Sequence, residues 1–175
     1  DANNRLYGNG YITEILYDPL NRMSSIKGGT QATHQLSNFS YDALNRLTGY
    51  TDAWNNTVGY GYDDNGNETR IDYPNNHKLY KTYDNLNRLK TLTWDNTLVA
   101  TYNYVGSRLD NVVYGNNVKT QYTYDNAGRP TGISTKTNNG TGSTIYAANF
   151  VLDNLGNHTE ENETQPFATL PVPTA

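Results

Sequence analysis

A short motif that begins with Tyr-Asp recurs along this chain at a nearly constant interval. Residues 41–47 read Tyr-Asp-Ala-Leu-Asn-Arg-Leu, and residues 83–89 read Tyr-Asp-Asn-Leu-Asn-Arg-Leu. When the weaker copies are included, the lead residues stand at 17, 41, 62, 83, 104, 124 and 152, which gives spacings of 24, 21, 21, 21, 20 and 28 residues. A period of this length indicates a tandem-repeat architecture, in which each unit completes its packing on its neighbours.

Each repeat unit is predicted to be a β-hairpin. The motif places Asp before Asn or Gly, and these residues cap a turn or tolerate a left-handed backbone. Apolar and polar residues alternate towards the lead Tyr, as in Phe39-Ser40-Tyr41, which indicates a half-buried strand. A second turn lies between successive motifs, for example at Tyr73-Pro74-Asn75-Asn76, so two strands of about six residues and two turns fill one unit.

The composition agrees with an all-β chain that has many turns. Hydrophobic residues make up 35% of the 175 residues, against about 45–50% in an ordinary globular domain. The small net charge of −4 and the aromatic content of 12% nevertheless argue against disorder. The pI near 5.2 disfavours a nucleic-acid-binding surface, and no apolar run approaches the roughly 20 residues of a membrane helix. Cys is absent, which excludes disulfides and thiolate metal sites.

The repeat also predicts the domain organisation. Residues 1–6 match the motif without its Tyr, so we expect the chain to begin inside a repeat. We expect an array of about seven repeats over residues 1–157. Residues 158–175 carry three Glu, three Pro and no motif, and they are predicted to form an irregular acidic tail or linker.

These motifs resemble the YD repeats of the RHS family, whose motif is roughly Tyr-x-Tyr-Asp-x-x-Gly-Arg-Leu. Residues 122–129, Tyr-Thr-Tyr-Asp-Asn-Ala-Gly-Arg, match it best, and the resemblance covers about residues 1–157. The family includes RHS toxins, the shell subunits of insecticidal toxin complexes, and teneurins. The resemblance implies tandem hairpins in a continuous, spiralling antiparallel sheet. In family members this sheet closes into a hollow shell, which in bacterial members encloses a toxic C-terminal domain.

From this resemblance we expect a non-catalytic structural segment of a secreted or cell-surface protein, one that builds a β-sheet scaffold or shell wall. The expected partners are the remainder of a longer parent chain or further copies of this chain, with an encapsulated toxin or a surface glycan as further candidates. No cofactor, metal, nucleic acid or membrane span is expected. Two alternatives stay open: a self-assembling extracellular fibre built by end-to-end strand stacking, and a glycan-binding or adhesion module.

The repeated residues are the candidate functional residues, and their predicted role is structural. The motif Asp is expected to cap its turn, the motif Arg to pair with a neighbouring Asp or to cover a Tyr ring, and the lead Tyr to lie in the core on the apolar face. Trp54 and Trp94 stand at the opposite turn and are candidate ligand or assembly contacts, because exposed aromatic rings bind sugars and protein surfaces. The motif residues are Tyr17, Asp18, Arg22, Tyr41, Asp42, Arg46, Tyr62, Asp63, Tyr83, Asp84, Arg88, Tyr104, Arg108, Tyr124, Asp125, Gly128 and Arg129.

Overall fold

The computed structural model describes residues 14–28 and 35–165, and within these ranges it contains fourteen β-strands and no α-helix. The order of the strands in the sheet is their order in the chain. This confirms the predicted all-β fold of tandem antiparallel hairpins. The strands are β1 Glu14–Tyr17, β2 Met23–Lys27, β3 Gln35–Tyr41, β4 Leu47–Asp52, β5 Thr57–Tyr62, β6 Glu68–Asp72, β7 Lys78–Tyr83, β8 Leu89–Trp94, β9 Thr97–Val105, β10 Arg108–Tyr114, β11 Lys119–Tyr124, β12 Pro130–Lys136, β13 Thr144–Leu152 and β14 His158–Thr164.

A five-residue turn that begins at the motif Asp closes six of the described hairpins, and we call it the YD turn. In residues 18–22 the N–H of Asn21 donates to the carbonyl of Asp18 at 2.9 Å, and the N–H of Asp18 donates to the carbonyl of Arg22 at 2.8 Å. Asn21 has a φ of 61°, in the left-handed region. A type I turn followed by a left-handed residue is a common three-residue hairpin loop. Only Gly and Asn enter this region readily, which explains their place in the motif.

Two of the described hairpins have shorter loops of two residues, at 95–96 and at 106–107. Val105 pairs directly with Arg108 across Gly106 and Ser107, and Gly106 has a φ of 58°. The copy led by Tyr104 therefore has no Asp at this turn and is one residue short. Two-residue loops are common hairpin connections. This copy of the repeat therefore keeps its hairpin although its motif is degenerate.

The chain divides into two compact units, residues 1–81 and 82–175. In the first unit, Phe39, Tyr50 and Val58 lie side by side across β3, β4 and β5, and the rings of Phe39 and Tyr50 have centroids 5.3 Å apart. On the opposite face, Gly49 pairs with Gly59. One face of this part of the sheet is therefore aromatic and aliphatic, as the alternating sequence predicts.

The second unit repeats this division between its two faces. Tyr122, Ile133 and Ala148 form a row across β11, β12 and β13. On the other face, Asn111 pairs with Gln121, and polar side chains continue along the neighbouring strands. The second unit is thus also apolar on one face and polar on the other.

Few side chains of the described residues are buried. Ala100, Val112 and Ala148 are the only buried apolar residues of these ranges, and no large side chain among them is fully buried. The lead Tyr were predicted to lie in the core, but they are half-buried, and Tyr17 is 37% exposed. The described strands all belong to one sheet, and most of their side chains keep part of their contact with solvent.

The prediction of irregular structure from residue 158 onward is wrong for residues 158–164, which form β14 and pair with β13. All seven of these side chains are exposed. The strand lacks an apolar alternation, so its sequence gives no strand signal. It pairs because the preceding YD turn, residues 153–157, returns the chain alongside β13. Residues 1–6 and 166–175 lie outside the described residues, and the domain boundary at 157 stays a prediction.

Candidate functional site

The motif Asp caps its own turn. Asp42 Oδ1 accepts hydrogen bonds from the N–H groups of Leu44 and Arg46, each at 2.9 Å. Its second oxygen, Oδ2, accepts from Arg46 Nε at 2.7 Å. The short Asp side chain accepts hydrogen bonds from the backbone N–H groups two and four residues later in the chain, as in an Asx turn. This one carboxylate therefore stabilises the whole loop.

The motif Arg then joins its hairpin to the next one. The guanidinium of Arg46 lies 4.5 Å from the ring centroid of Tyr62, the lead Tyr of the following repeat, and Arg46 Nη1 donates to the carbonyl of Asp63 at 3.1 Å. The hydroxyl of Tyr62 in turn donates a hydrogen bond to the carbonyl of Leu47 at 2.8 Å. We call this set of contacts, between the Arg of one repeat and the Tyr and YD turn of the next, the inter-hairpin clasp.

The clasp recurs along the chain with small variations. The ring of the following Tyr lies 4.7 Å from Arg22, 4.2 Å from Arg88 and 5.1 Å from Arg108. Tyr hydroxyls donate to the carbonyls of Leu89 and Leu109 at 2.9 and 2.8 Å. The stacked pairs, in chain order, are Arg22–Tyr41, Arg46–Tyr62, Arg88–Tyr104 and Arg108–Tyr124.

The Arg129 clasp lacks a ring. Arg129 pairs with Asp125 at 2.6 Å and donates to the carbonyl of Asp153 at 3.1 Å. The residue at the lead position of the next copy is Leu152 rather than Tyr, so no cation–π contact is formed there. Gly128 occupies the left-handed position of this turn with a φ of 82°.

Hydrogen bonding holds the carboxylates of the YD turns in their charged form. A side-chain hydrogen bond from Arg22 is the main cause that lowers the pKa of Asp18, and Arg88 lowers that of Asp84 in the same way. For Asp42 the largest cause of the lowered pKa is the backbone N–H of Arg46, as the backbone N–H of Arg129 is for Asp125. The negative charge of each carboxylate is stabilised within its own turn, because hydrogen-bond donors already surround the carboxylate oxygens.

The clasp Tyr behave differently. Burial raises the pKa of Tyr62 and Tyr104 above the ordinary value of a phenol. Both phenols therefore stay protonated at neutral pH, which lets their hydroxyls act as donors to the backbone carbonyls. Tyr83, the lead residue of the central copy, is half-buried at the end of β7.

At some turns Asn replaces the motif Arg and keeps the cap. Asn67 Nδ2 donates to Asp63 Oδ2 at 2.9 Å, and Asn157 Nδ2 donates to Asp153 Oδ2 at 2.8 Å. The turn at residues 52–56, which joins β4 to β5, has the same geometry, and there Asn56 Nδ2 donates to Asp52 Oδ2 at 2.9 Å. The cap therefore requires only a donor at the fifth position of the turn.

The two Trp residues differ in their exposure. Trp54 is 82% exposed at the tip of its turn, whereas Trp94 is 38% exposed at the end of β8. Several Leu residues occupy the same third position of a YD turn and are also largely exposed: Leu20, Leu44, Leu86 and Leu155. The role of Trp54 and Trp94 as ligand or assembly contacts stays a prediction.

Sequence reasoning missed one cavity in the second unit, which two lysines line. Lys119 and Lys136 are direct partners across β11 and β12 and line a cavity of about 350 Å³ together with the loop at residues 139–141. The available signal was the longest repeat spacing, 28 residues between Tyr124 and Leu152. In this part of the chain the extra residues form a loop and lengthen β13.

The described residues contain no cluster of three or more His, Asp or Glu that could hold a metal ion. No helix within the same ranges is long and apolar enough to cross a membrane. The Asp63–Glu68 segment, which is rich in carboxylate and amide groups, forms a YD turn whose Asp63 accepts from Asn65, at 3.0 Å, and from Asn67.

Comparison with known proteins gives one family-model match, over part of the chain, and a shared fold. Residues 41–78 match the family model described as RHS Repeat. No curated protein sequence matches the chain. Among solved structures, the chain is similar to the Tc holotoxin pore of Photorhabdus luminescens, with 14% identity and a TM-score of 0.57 over 90% of this chain and 11% of that chain.

The TcdB2–TccC3 complex is also similar, with 13% identity and a TM-score of 0.61 over 89% of this chain and 10% of that chain. A third match is the TcdB2–TccC3–Cdc42 structure, with 12% identity and a TM-score of 0.57 over 89% and 11% of the two chains. At these identities the likeness shows the fold alone, and the chain spans about a tenth of the length of the solved chains it matches. The resemblance to RHS repeats inferred from the Tyr-Asp motifs is confirmed by the family-model match over residues 41–78.

Proposed function

We propose that this chain is a structural segment of a β-sheet shell wall in a secreted or cell-surface RHS-repeat protein, and that it has no catalytic role. The observation that carries the proposal is the inter-hairpin clasp. Its Arg and its Tyr come from successive repeats, as in Arg46 and Tyr62, so the same contact can join any number of hairpins. A wall that extends by adding hairpins needs such a self-propagating contact.

The charge distribution supports a structural role for the motif. The motif carboxylates have lowered pKa values and are hydrogen-bonded within their turns. A general acid or base working near neutral pH would instead need a carboxyl whose pKa is raised towards 7. Carboxylates that are already hydrogen-bonded to neighbouring groups stabilise the fold, and they have little capacity left to act on a substrate.

The sparse burial supports a segment of a larger assembly. The apolar face of the sheet carries rows of aromatic and aliphatic side chains that are only half-buried, such as Tyr122 and Ile133. The similar solved chains are about eight to nine times as long as this chain. We propose that the remainder of a longer parent chain is the main partner, and that an interior toxin is the cargo of the assembled shell.

Electron microscopy of the full-length parent protein, combined with its mass in solution, tests this proposal. A hollow particle with the mass of one chain is the expected result. The variant Arg46→Met with Arg88→Met should reduce the fraction of intact particles, whereas Arg70→Met, at an exposed ion pair with Asp72, should leave that fraction unchanged. Regular filaments that lengthen with protein concentration would instead support a self-assembling fibre.

An adhesive function rests on one observation, the 82% exposure of Trp54. An exposed indole ring offers a flat apolar surface on which a sugar ring can stack. The measurement is binding to a glycan array by the chain and by Trp54→Ala, with Leu44→Ala as a control at the same position of a neighbouring turn. Equal signals from the chain and from Trp54→Ala would remove this function.

A further inference from the structure

The cavity between Lys119 and Lys136 has an unusual charge arrangement. The two lysines face each other directly across β11 and β12. Like charges in such positions repel and destabilise a sheet. Both side chains are half-buried, and among the described residues they are the only half-buried cations without a carboxylate within ion-pair distance. The chain as a whole has a net charge of −4, yet these two cations are neighbours without an anionic partner in the part of the chain that the structure describes. A bound anion would relieve their repulsion.

The wall of the cavity is built by an insertion in the repeat. Residues 137–143 form a closed loop in which the N–H of Thr137 donates to the carbonyl of Ser143 at 3.0 Å. The N–H of Asn139 reaches back to the carbonyl of Asn117 at 2.8 Å, so the loop is anchored to the turn before β11. Insertions in tandem repeats commonly build the binding face of the array.

The loop packs closely on one of the two lysines. Gly140 has a φ of 95°, and a Cβ at this position would lie 3.0 Å from Lys119 Cδ. Glycine therefore lets the loop lie against the aliphatic part of Lys119, which fixes the path of that side chain. The ammonium group is the part of Lys119 that is left to meet a ligand.

Neutral polar groups complete the lining of the cavity. Gln121 donates through Nε2 to the carbonyl and to Oδ1 of Asp110, both at 2.8 Å, which leaves its carbonyl oxygen as an acceptor. Ser134, Asn139 and Thr141 add hydroxyl and amide groups. The carboxylate of Asp110 is linked to the cavity through Gln121, and its two oxygens accept from Gln121 and Asn111. The backbone groups of the flanking strands are used in the ladder, so recognition must come from side chains and the loop.

We propose that this cavity binds a hydroxylated organic anion, a sugar acid or a sugar phosphate. The two ammonium groups would hold the carboxylate or phosphate oxygens, and Ser134, Asn139 and Gln121 would bind the hydroxyls. The volume of about 350 Å³ lies at the lower end of the range for small-ligand pockets. This site is independent of the shell wall, because its residues take no part in the inter-hairpin clasp.

Isothermal titration of the full chain with galacturonate, glucose 6-phosphate, glucose and inorganic phosphate tests the proposal. We expect at least one sugar anion to bind at least tenfold more tightly than both neutral glucose and inorganic phosphate. The better of galacturonate and glucose 6-phosphate identifies the anionic group. Equal binding of glucose, or phosphate binding as tightly as either sugar anion, would overturn the proposal.

Substitutions then locate the site. Lys119→Gln and Lys136→Gln should each weaken binding at least tenfold, whereas Lys90→Gln, at an exposed lysine of the same unit, should have no effect. Thermal unfolding gives a readout that does not need the ligand: Lys136→Gln should raise the unfolding midpoint at low salt, because it removes the repulsion, and the gain should shrink at high salt. Unchanged affinity in both lysine variants, or a lower midpoint for Lys136→Gln, would contradict the assignment.

Discussion

Arg46→Met is the most direct test of the inter-hairpin clasp, because methionine keeps much of the aliphatic length and removes the guanidinium. Arg46 is 26% exposed, so its stack on Tyr62 contributes about 0.5–1 kcal/mol. Its hydrogen bond to the carbonyl of Asp63 contributes about 0.5–1.5 kcal/mol. The ion pair with Asp42 lies at the surface, where solvent and salt screen it. We therefore expect Arg46→Met to lower the free energy of unfolding by about 1–2.5 kcal/mol.

Urea denaturation followed by circular dichroism measures this loss, and a double-mutant cycle with Tyr62→Leu isolates the stack. The coupling energy between Arg46 and Tyr62 should be about 0.5–1 kcal/mol. The matched control is the cycle between Arg22 and Tyr62, because Arg22 stacks instead on Tyr41 at 4.7 Å. That control should give coupling near zero. If the two cycles gave equal coupling, the Arg–Tyr stack would not be what joins neighbouring hairpins.

Three further changes probe the turns. Gly128→Ala should lower the free energy of unfolding by at least about 1 kcal/mol in the same urea assay, because φ is 82° and the new Cβ would lie 2.8 Å from Arg108 Nη1; an unchanged midpoint would refute this. The pKa of Asp42 lies below its ordinary value of 3.8, mainly through the backbone N–H of Arg46. Its contribution to stability is therefore complete above that ordinary value and is lost as the pH falls through the lowered pKa. The urea midpoint should hold from pH 7 to about pH 5 and drop below about pH 4, whereas a midpoint that rises in acid would contradict the assignment. Leu44→Gln should change stability by less than about 0.5 kcal/mol, since Leu44 is 68% exposed, and a larger loss in thermal unfolding would mean that the turn tip packs on something.

The YD turn could be predicted from the sequence because its geometry is encoded within five residues. An Asp that caps the loop and an Asn or Gly at the left-handed position are local requirements, as at Asp42 and Asn45, where φ is 65°. The sequence also allowed the motif Arg two partners, Asp or Tyr. The structure gives it both, since Nε of Arg46 binds Asp42 while the face of its guanidinium covers Tyr62.

Features that depend on register could not be predicted. The sequence of β14 is polar throughout, and only its position after a YD turn makes it a strand. The opposition of Lys119 and Lys136 likewise follows from the pairing of β11 with β12, two strands joined by the turn after Tyr124. Neither residue belongs to a recognisable motif. Their proximity is visible only once every residue of the two strands has a partner.

The fifth residue of the YD turn separates two contributions to stability that the motif normally combines. Asn157 caps its turn as well as an Arg does, through a 2.8 Å bond to Asp153, so the fold of a single hairpin does not require a guanidinium. The longer, charged side chain of Arg46 adds a stack and a carbonyl bond to the following repeat, and an uncharged amide cannot form a cation–π contact. In a tandem array, total stability is approximately the sum of the stability of each unit and the interface energy between neighbours. One residue per repeat can therefore strengthen each hairpin–hairpin interface beyond the backbone pairing of the sheet, without altering the turn that makes the hairpin.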